Sequence, residues 1–263
     1  MSKNRGEQVH MIKERAVILN QKEIDTDIFD MEISFPKGAG QARPGQFLAM
    51  YCNDQTKLLP RPISICGIDP EKGSLRVVYR IAGEGTREFS KMKKGDTLEV
   101  MGPLGNGFTM KEEDAILIGG GIGIPPMLEL ARQLKAEKTV VLGYRNSTFL
   151  KEEFEAVSKV RIATEDGSCG VKGTVIDAIR EYGVEGKVIY ACGPMPMLKA
   201  IAAYAEEKGM EAQISLEERM ACGIGACLGC ICRSKTKDAH TNVNNKRICK
   251  DGPVFDAKEV LFS

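Results

Sequence analysis

The sequence predicts an antiparallel β-barrel, then a parallel-sheet α/β domain, then a small cysteine-bearing C-terminal segment, with boundaries at 1–110, 111–210 and 211–263. Three observations predict it. Short strand-like runs follow one another from about Ala16 to Phe108, divided by Gly, Pro and Asp turn signals. After Lys111 buried-type strands alternate with stretches of helical period, the pattern of a parallel sheet covered by helices on both faces. From Glu211 a last strand leads into a cysteine cluster and a polar, Lys- and Asn-rich stretch too poor in apolar residues to build its own core.

Each element has its own signal. The barrel runs are AVILN, IFDMEISF, GQFLAMYC, RPISICGI, LRVVYRI and DTLEVMG. In LRVVYRI, Leu75, Val77, Tyr79 and Ile81 alternate with Arg76, Val78 and Arg80, the period of a half-buried strand. Six such runs at short spacing predict a closed antiparallel barrel. In the second domain AILIGGG is a strand entering a glycine turn, and Met127, Leu130, Ala131 and Leu134 share one face of the helix after it. KTVVLGYR, KVRIAT and KVIYACGP are further strands, while GTVIDAIREYG and PMLKAIAAYAEEKG are helices.

Charge directs the chain to no macromolecular polyanion: 37 Lys and Arg face 36 Asp and Glu, which excludes nucleic acid or an anionic membrane as the main target. The first residues are polar where a signal peptide needs an apolar core, and the longest apolar stretch is broken by glycines and prolines, so a cytoplasmic protein is expected. Nine cysteines without a secretion signal favour reduced thiols, some of them as ligands, over a disulfide framework.

Two turns carry phosphate-binding chemistry. Gly119, Gly120, Gly121 and Gly123 stand where a strand meets a helix, so backbone amides can approach a phosphate, and Pro125 and Pro126 suit the first helical turn. Pro126 replaces the third glycine of the usual dinucleotide fingerprint, and a tight turn without a ligand is the alternative. Cys192, Gly193 and Pro194 close a second strand at the same sheet edge, with Cys192 either lining a nicotinamide pocket or serving as a small buried residue. In the barrel, Arg61 and Ser64 flank a proline-stiffened segment, and an Arg fork with a hydroxyl can hold a pyrophosphate or ribityl chain. Downstream, Tyr79 offers a ring for stacking, Arg80 charge, and Gly85 with Thr86 the start of a short helix. Ordinary barrel surface is the alternative for each.

Cys222, Cys227 and Cys230 follow C-x4-C-x2-C, with Cys249 further on, the plant-type [2Fe–2S] spacing. Two irons sharing two sulfides need four thiolates around a compact object, and Gly223, Gly225 and Gly229 let a loop wrap it with N–H groups toward the sulfurs. A zinc ribbon prefers two C-x2-C pairs, and only Cys227 with Cys230 makes one. A Rieske centre needs two histidines, and only His240 is near; Cys232 is taken as a non-ligand.

From about Glu14 to Met210, RPIS and YRIAGEGT followed by GGGIGIPP and CGP resemble the ferredoxin–NADP reductase superfamily. ERMACGIGACLGC with CKDGPVF is more specifically similar to the electron-transfer subunits of NAD-linked, class 1B dihydroorotate dehydrogenases. The resemblance implies FAD on the barrel, held by Arg61, Pro62, Ile63, Ser64, Val78, Tyr79, Arg80, Gly85 and Thr86. It implies NAD on the parallel domain at Gly119, Gly120, Gly121, Gly123, Cys192, Gly193 and Pro194, and a [2Fe–2S] cluster on Cys222, Cys227, Cys230 and Cys249. It further implies a separate FMN-bearing catalytic subunit that oxidises dihydroorotate to orotate in pyrimidine biosynthesis, in a heterotetramer of two copies each. Glu165 and Asp166 stand where NADP enzymes of the superfamily place Ser and Arg, and a carboxylate there repels a 2′-phosphate, favouring NAD. No acid–base catalyst is assigned, because the chemistry belongs to the cofactors. The competing readings are a cluster-bearing NAD(P)H reductase subunit for a hydrogenase or ferredoxin-type partner, and a zinc-stapled binding protein.

Overall fold

The structure, a computed structural model, describes residues 12–237 and 242–262. Six strands close an antiparallel barrel in the order β1-β2-β5-β4-β3-β6. They are β1 (Ile12–Asp25), β2 (Ile28–Ser34), β3 (Phe47–Met50), β4 (Arg61–Asp69), β5 (Ser74–Arg80) and β6 (Thr97–Leu104), with short helices α1 (Pro36–Ala39) and α2 (Glu84–Phe89) between them. The predicted alternation sets the inside: Leu75, Val77 and Tyr79 of β5 are buried among Ile33, Leu48, Phe89 and Val100. The β4–β5 ladder runs from Ile65–Val77 to Asp69–Ser74 and stops there. Arg61–Ser64 pair instead with β3, and Val78–Arg80 with β2, so the barrel wall splits between them.

The second unit is a seven-stranded sheet in the order β10-β9-β8-β7-β11-β12-β15. Its strands are β7 (Ala115–Gly120), β8 (Lys138–Tyr144), β9 (Lys159–Thr164), β10 (Val171–Lys172), β11 (Val188–Cys192), β12 (Glu211–Ser215) and, returning from the C-terminal segment, the antiparallel edge β15 (Val254–Asp256). Helices α3 (Ile124–Gln133), α4 (Lys151–Glu155), α5 (Val175–Glu181) and α6 (Met195–Lys208) complete it. Met127, Leu130, Ala131 and Leu134 are buried together, as their spacing predicts. Chain order reverses between β7 and β11, the switch point at which open sheets bind ligands beyond the strands' carboxyl ends.

Residue 211, where the sequence pattern changes, begins β12, so this strand lies inside the sheet and pairs in parallel with β11. The tail adds a small two-stranded sheet, β13 (Ile231–Arg233) with β14 (Asn245–Arg247), and a single helical turn, α7 (Ile248–Asp251). One apolar core joins all three parts: Phe47, Ala49, Met101 and Leu104 of the barrel, Ile189 and Ile214 of the sheet, and Cys230, Ile248 and Cys249 of the tail.

Candidate functional site

The split between β4 and β5 is bordered by the residues expected to hold FAD. Arg61, Pro62, Ile63 and Ser64 are half-buried along one lip, and Arg80 is exposed on the other. The Arg61 guanidinium donates to the carbonyls of Lys57 and Leu59 and lies flat against the first turn of α2. A methyl at Gly85 would stand 1.8 Å from Arg61 Nε, so only glycine lets the guanidinium lie here.

One expectation about this lip is corrected by burial, and two further residues leave a ligand only their backbone. Tyr79 does not offer a stacking face: it is 1% exposed, its ring stacks on Phe29 and meets Phe89 edge-on, and its hydroxyl donates to Gln21 Oε1 at 3.0 Å. The strand alternation that puts Leu75 and Val77 inside puts Tyr79 there too. Val78, 3% exposed, faces the seam with the second domain, leaving only backbone to a ligand. The Thr86 hydroxyl is committed to its own helix, accepting from the Ala82 and Gly83 amides and donating to the Gly83 carbonyl.

At the switch point the two glycine turns are in contact. Gly119 and Gly120 end β7, and Gly121–Gly123 form a 3-10 turn into α3. A methyl at Gly123 would lie 2.5 Å from the Cys192 carbonyl and the Gly193 nitrogen, so the two turns meet backbone to backbone. Gly121, half-buried, has φ +53° and open space where a Cβ would stand. Cys192 is fully buried, and burial with a repulsive Glu217 nearby pushes its thiol pKa far up; its side chain packs in the core, Gly193 is buried beside it, and Pro194 is exposed.

Glu165, beyond the end of β9, is exposed and 3.7 Å from Arg145 Nε; Asp166 turns back to accept from the amide and hydroxyl of Ser168. Of the two carboxylates, Glu165 is therefore the one presented outward. Glu217 is a residue that sequence reasoning missed: just past β12, it is exposed and within electrostatic reach of both Arg80 and Cys192, at the junction of the two sites. Nothing in SLEERM distinguishes it from Glu218.

The four expected cluster cysteines come together in two pairs. Cys222 stands beside Cys227 and Cys249 beside Cys230, and Cys222 and Cys249 are within electrostatic reach of each other. Backbone amides ring them: Ile224 and Ala226 donate to Cys222 Sγ at 3.5 and 3.3 Å, Gly225 to Cys249 Sγ at 3.0 Å, Gly229 to Cys227 Sγ and Cys249 to Cys230 Sγ at 3.4 Å. Burial raises the Cys222 pKa, but these donors and Cys227 outweigh it and bring it to about 6; Cys249, with burial and Cys230 against its charge, is pushed up to about 12. Among the described residues no three His, Cys, Asp or Glu side chains are placed as ligands of a single metal ion. Two thiol pairs wrapped by N–H donors fit two irons with two thiolates each. Cys232, on β13, is outside this ring, and His240 lies outside the described residues.

The cluster loop rests on the barrel beside the flavin lip. A methyl at Gly223 would be 3.5 Å from Leu104 and 3.8 Å from Ala49, and Ala49 pairs across the β3–β4 ladder with Pro62. Asn106 anchors the other limb, receiving no slack: its amide donates to the Gly252 carbonyl at 2.6 Å and its side chain to those of Lys250 and Asp251.

Comparison with known proteins finds a match for each of three stretches of the chain. Residues 16–108 match the oxidoreductase FAD-binding domain, 117–203 the oxidoreductase NAD-binding domain, and 217–261 the iron–sulfur cluster binding domain of dihydroorotate dehydrogenase B. A solved structure of an NADH-dependent reduced ferredoxin–NADP oxidoreductase, described for flavin-based electron bifurcation, is 30% identical with a TM-score of 0.85, covering 94% of this chain and 90% of that one. The ferredoxin reductase of carbazole 1,9a-dioxygenase, 19% identical with a TM-score of 0.64 over 78% of this chain and 68% of its own, shares the fold. Fold and site thus define an iron–sulfur flavoprotein reductase with a ferredoxin–NADP reductase-like body. Electron-transfer subunits named for dihydroorotate dehydrogenase B (NAD(+)) match at 44% identity in Caldanaerobacter subterraneus subsp. tengcongensis, over 95% of this chain and 99% of theirs. In Bacillus mycoides strain KBAB4 the figures are 40%, 96% and 100%. The chain belongs to the family of dihydroorotate dehydrogenase B electron-transfer subunits.

Proposed function

We propose that this chain is the subunit that carries electrons between a dihydroorotate-oxidising catalytic partner and NAD, through a [2Fe–2S] cluster and FAD. The observation that carries the reading is the continuity of the three sites: Ala49 lies under the cluster loop and pairs with Pro62 on the flavin lip, and the Gly121–Gly123 turn touches β5 at the other lip. When bound, the flavin exchanges hydride with a nicotinamide and single electrons with a cluster, which is why it belongs in the middle.

The residues divide the work. Arg61, seated over Gly85, holds the FAD pyrophosphate with Ser64; Arg80 and the backbone edge of Val78 and Tyr79 that β4 leaves unpaired hold the opposite side. Gly119–Gly123 and Gly193–Pro194 seat the NAD pyrophosphate, and Glu165 accepts from the ribose hydroxyls while repelling a 2′-phosphate. Cys222 with Cys227 takes one iron and Cys230 with Cys249 the other, and the surrounding amides stabilise thiolate and sulfide charge. The partner is the family's FMN-bearing catalytic subunit, in a heterotetramer of two copies each in the cytoplasm; no helix among the described residues is long and apolar enough to cross a membrane.

The test is a visible spectrum of anaerobically purified protein before and after NADH, with iron, sulfide and zinc assayed on the same sample. About two irons and two sulfides per FAD, with both chromophores bleached by NADH, are expected. In Cys227→Ser, NADH still reduces FAD while electron exchange with the partner stops. Zinc without bleaching overturns the reading, and co-purification with a hydrogenase or ferredoxin-type partner would reassign the acceptor.

A further inference from the structure

The barrel and the nucleotide-binding domain are joined by an apolar seam, in which Ile28, Val78 and Phe108 meet Ile124, Leu128 and Tyr190. Apolar contact is non-directional, so it holds two bodies together without fixing their angle closely. A second connection is directional. Arg76 on β5 forks onto its own domain, donating from Nε and Nη2 to the Asp30 carboxylate at 2.8 and 2.9 Å. The same guanidinium reaches across, donating from Nη1 and Nη2 to Glu153 of α4 at 2.6 and 2.8 Å. Glu153 also receives Arg132 of α3 at 2.8 Å. Beside this network Glu129 of α3, 4% exposed, accepts from the Ile68 amide of β4 at 3.1 Å and is steadied by Gln133 at 2.6 Å. Two barrel strands are thereby pinned to two elements of the other domain by hydrogen bonds of fixed direction.

We infer that the Asp30–Arg76–Glu153–Arg132 clasp sets the angle between the two domains and thereby the approach of nicotinamide to flavin. These are positioning residues: Arg76 stands four residues before Arg80, about 13 Å along the strand from the flavin lip. Over that lever a rotation of about 5° displaces the facing turn by about 1 Å, a misplacement able to cost up to about a hundredfold in rate. The clasp also lines an open cavity of about 570 Å³ with Lys22, Glu32 and Asp69, so solvent and salt reach it while the seam behind stays dry.

The inference rests on the reading that NADH reduces the bound FAD, and the experiment separates the two. Rapid mixing of the holoenzyme with NADH over a range of concentrations gives the limiting rate of FAD bleaching and the NADH dissociation constant independently. Glu153→Gln and Arg76→Met are expected to lower the limiting rate by at least about tenfold, with FAD content, dithionite reduction and NADH affinity within about twofold of wild type. Added salt should slow the wild-type step and leave Glu153→Gln unchanged. A merely structural role would lower the melting temperature and leave the limiting rate alone. Should Arg76→Met fail to retain FAD, Arg132→Gln, which loosens Glu153 from its exposed side, gives a smaller slowing in the same direction. Limiting rates within about twofold of wild type in the folded variants overturn the clasp alone; wild-type FAD that NADH does not bleach overturns the functional reading instead.

Discussion

Replacing Gly123 by Ala tests whether the two glycine turns act as one site. The added methyl would stand 2.5 Å from the Cys192 carbonyl carbon and oxygen and from the Gly193 nitrogen. Carbon contacts are comfortable from about 3.5 Å, so the turns must separate by about 1 Å. No side chain can swing aside to provide it, since every crowded atom is backbone. The strands cannot provide it either, because β7 and β11 are paired continuously from Ala115–Val188 to Gly119–Cys192. Overpacking of this kind costs about 1–3 kcal/mol of stability, and a 1 Å shift at a reacting site costs up to about a hundredfold in rate. The expected outcome is kcat/KM for NADH-dependent FAD reduction lower by about 10- to 100-fold, equivalent to about 1.4–2.7 kcal/mol. FAD content, iron content and dithionite reduction should stay at wild-type values. Gly183→Ala, after α5 and outside both glycine turns, is the internal control: nothing lies within 4 Å of its added methyl, and its φ of +58° leaves a backbone cost of only about 1–2 kcal/mol. A Gly123→Ala protein as active with NADH as Gly183→Ala would refute the reasoning, as would loss of FAD along with NADH reduction.

Two further substitutions separate ligand contacts from core contacts on the flavin lip. Gly85→Ala drives a methyl to 1.8 Å from Arg61 Nε and 2.3 Å from its Cζ, so the guanidinium must leave; losing one charged hydrogen-bonding group of about 1.5–3 kcal/mol weakens FAD about 10- to 150-fold. Fluorescence of released FAD on dilution reads this out, and undiminished retention would remove Arg61 from the phosphate site. Tyr79→Phe deletes the 3.0 Å bond to Gln21, whose amide still donates to the Phe89 and Met92 carbonyls, so about 1 kcal/mol of barrel stability is lost and FAD affinity is unchanged. Thermal melting with parallel FAD titration decides it, since weakened FAD binding would return the Tyr79 hydroxyl to the ligand.

What was legible in the sequence was periodicity and punctuation; what was not was partnership across long separations. The alternation in LRVVYRI predicts both β5 and its inner face, and the same alternation places Tyr79 inside, against the chemical attraction of a tyrosine beside a flavin motif. Period outweighs residue type there because one buried face must take every second side chain or none. The glycines and prolines of GGGIGIPP and CGP locate two turns, but their backbone contact depends on β7 and β11 becoming neighbours after three intervening strands and their helices. The cysteine spacing identifies four thiols, while their division into Cys222–Cys227 and Cys230–Cys249 follows from how α7 returns to the loop. Val254–Asp256 is too short to carry a period and becomes a strand only because β12 offers an open edge. Asp30, Arg76, Arg132 and Glu153 show the limit most plainly: each reads in sequence as a solvated charge on an amphipathic element, and each is that on its own. They acquire a joint role only where two separately folded units present those charges to one another. Such a role is set by the angle between domains, which the local pattern of neither domain encodes.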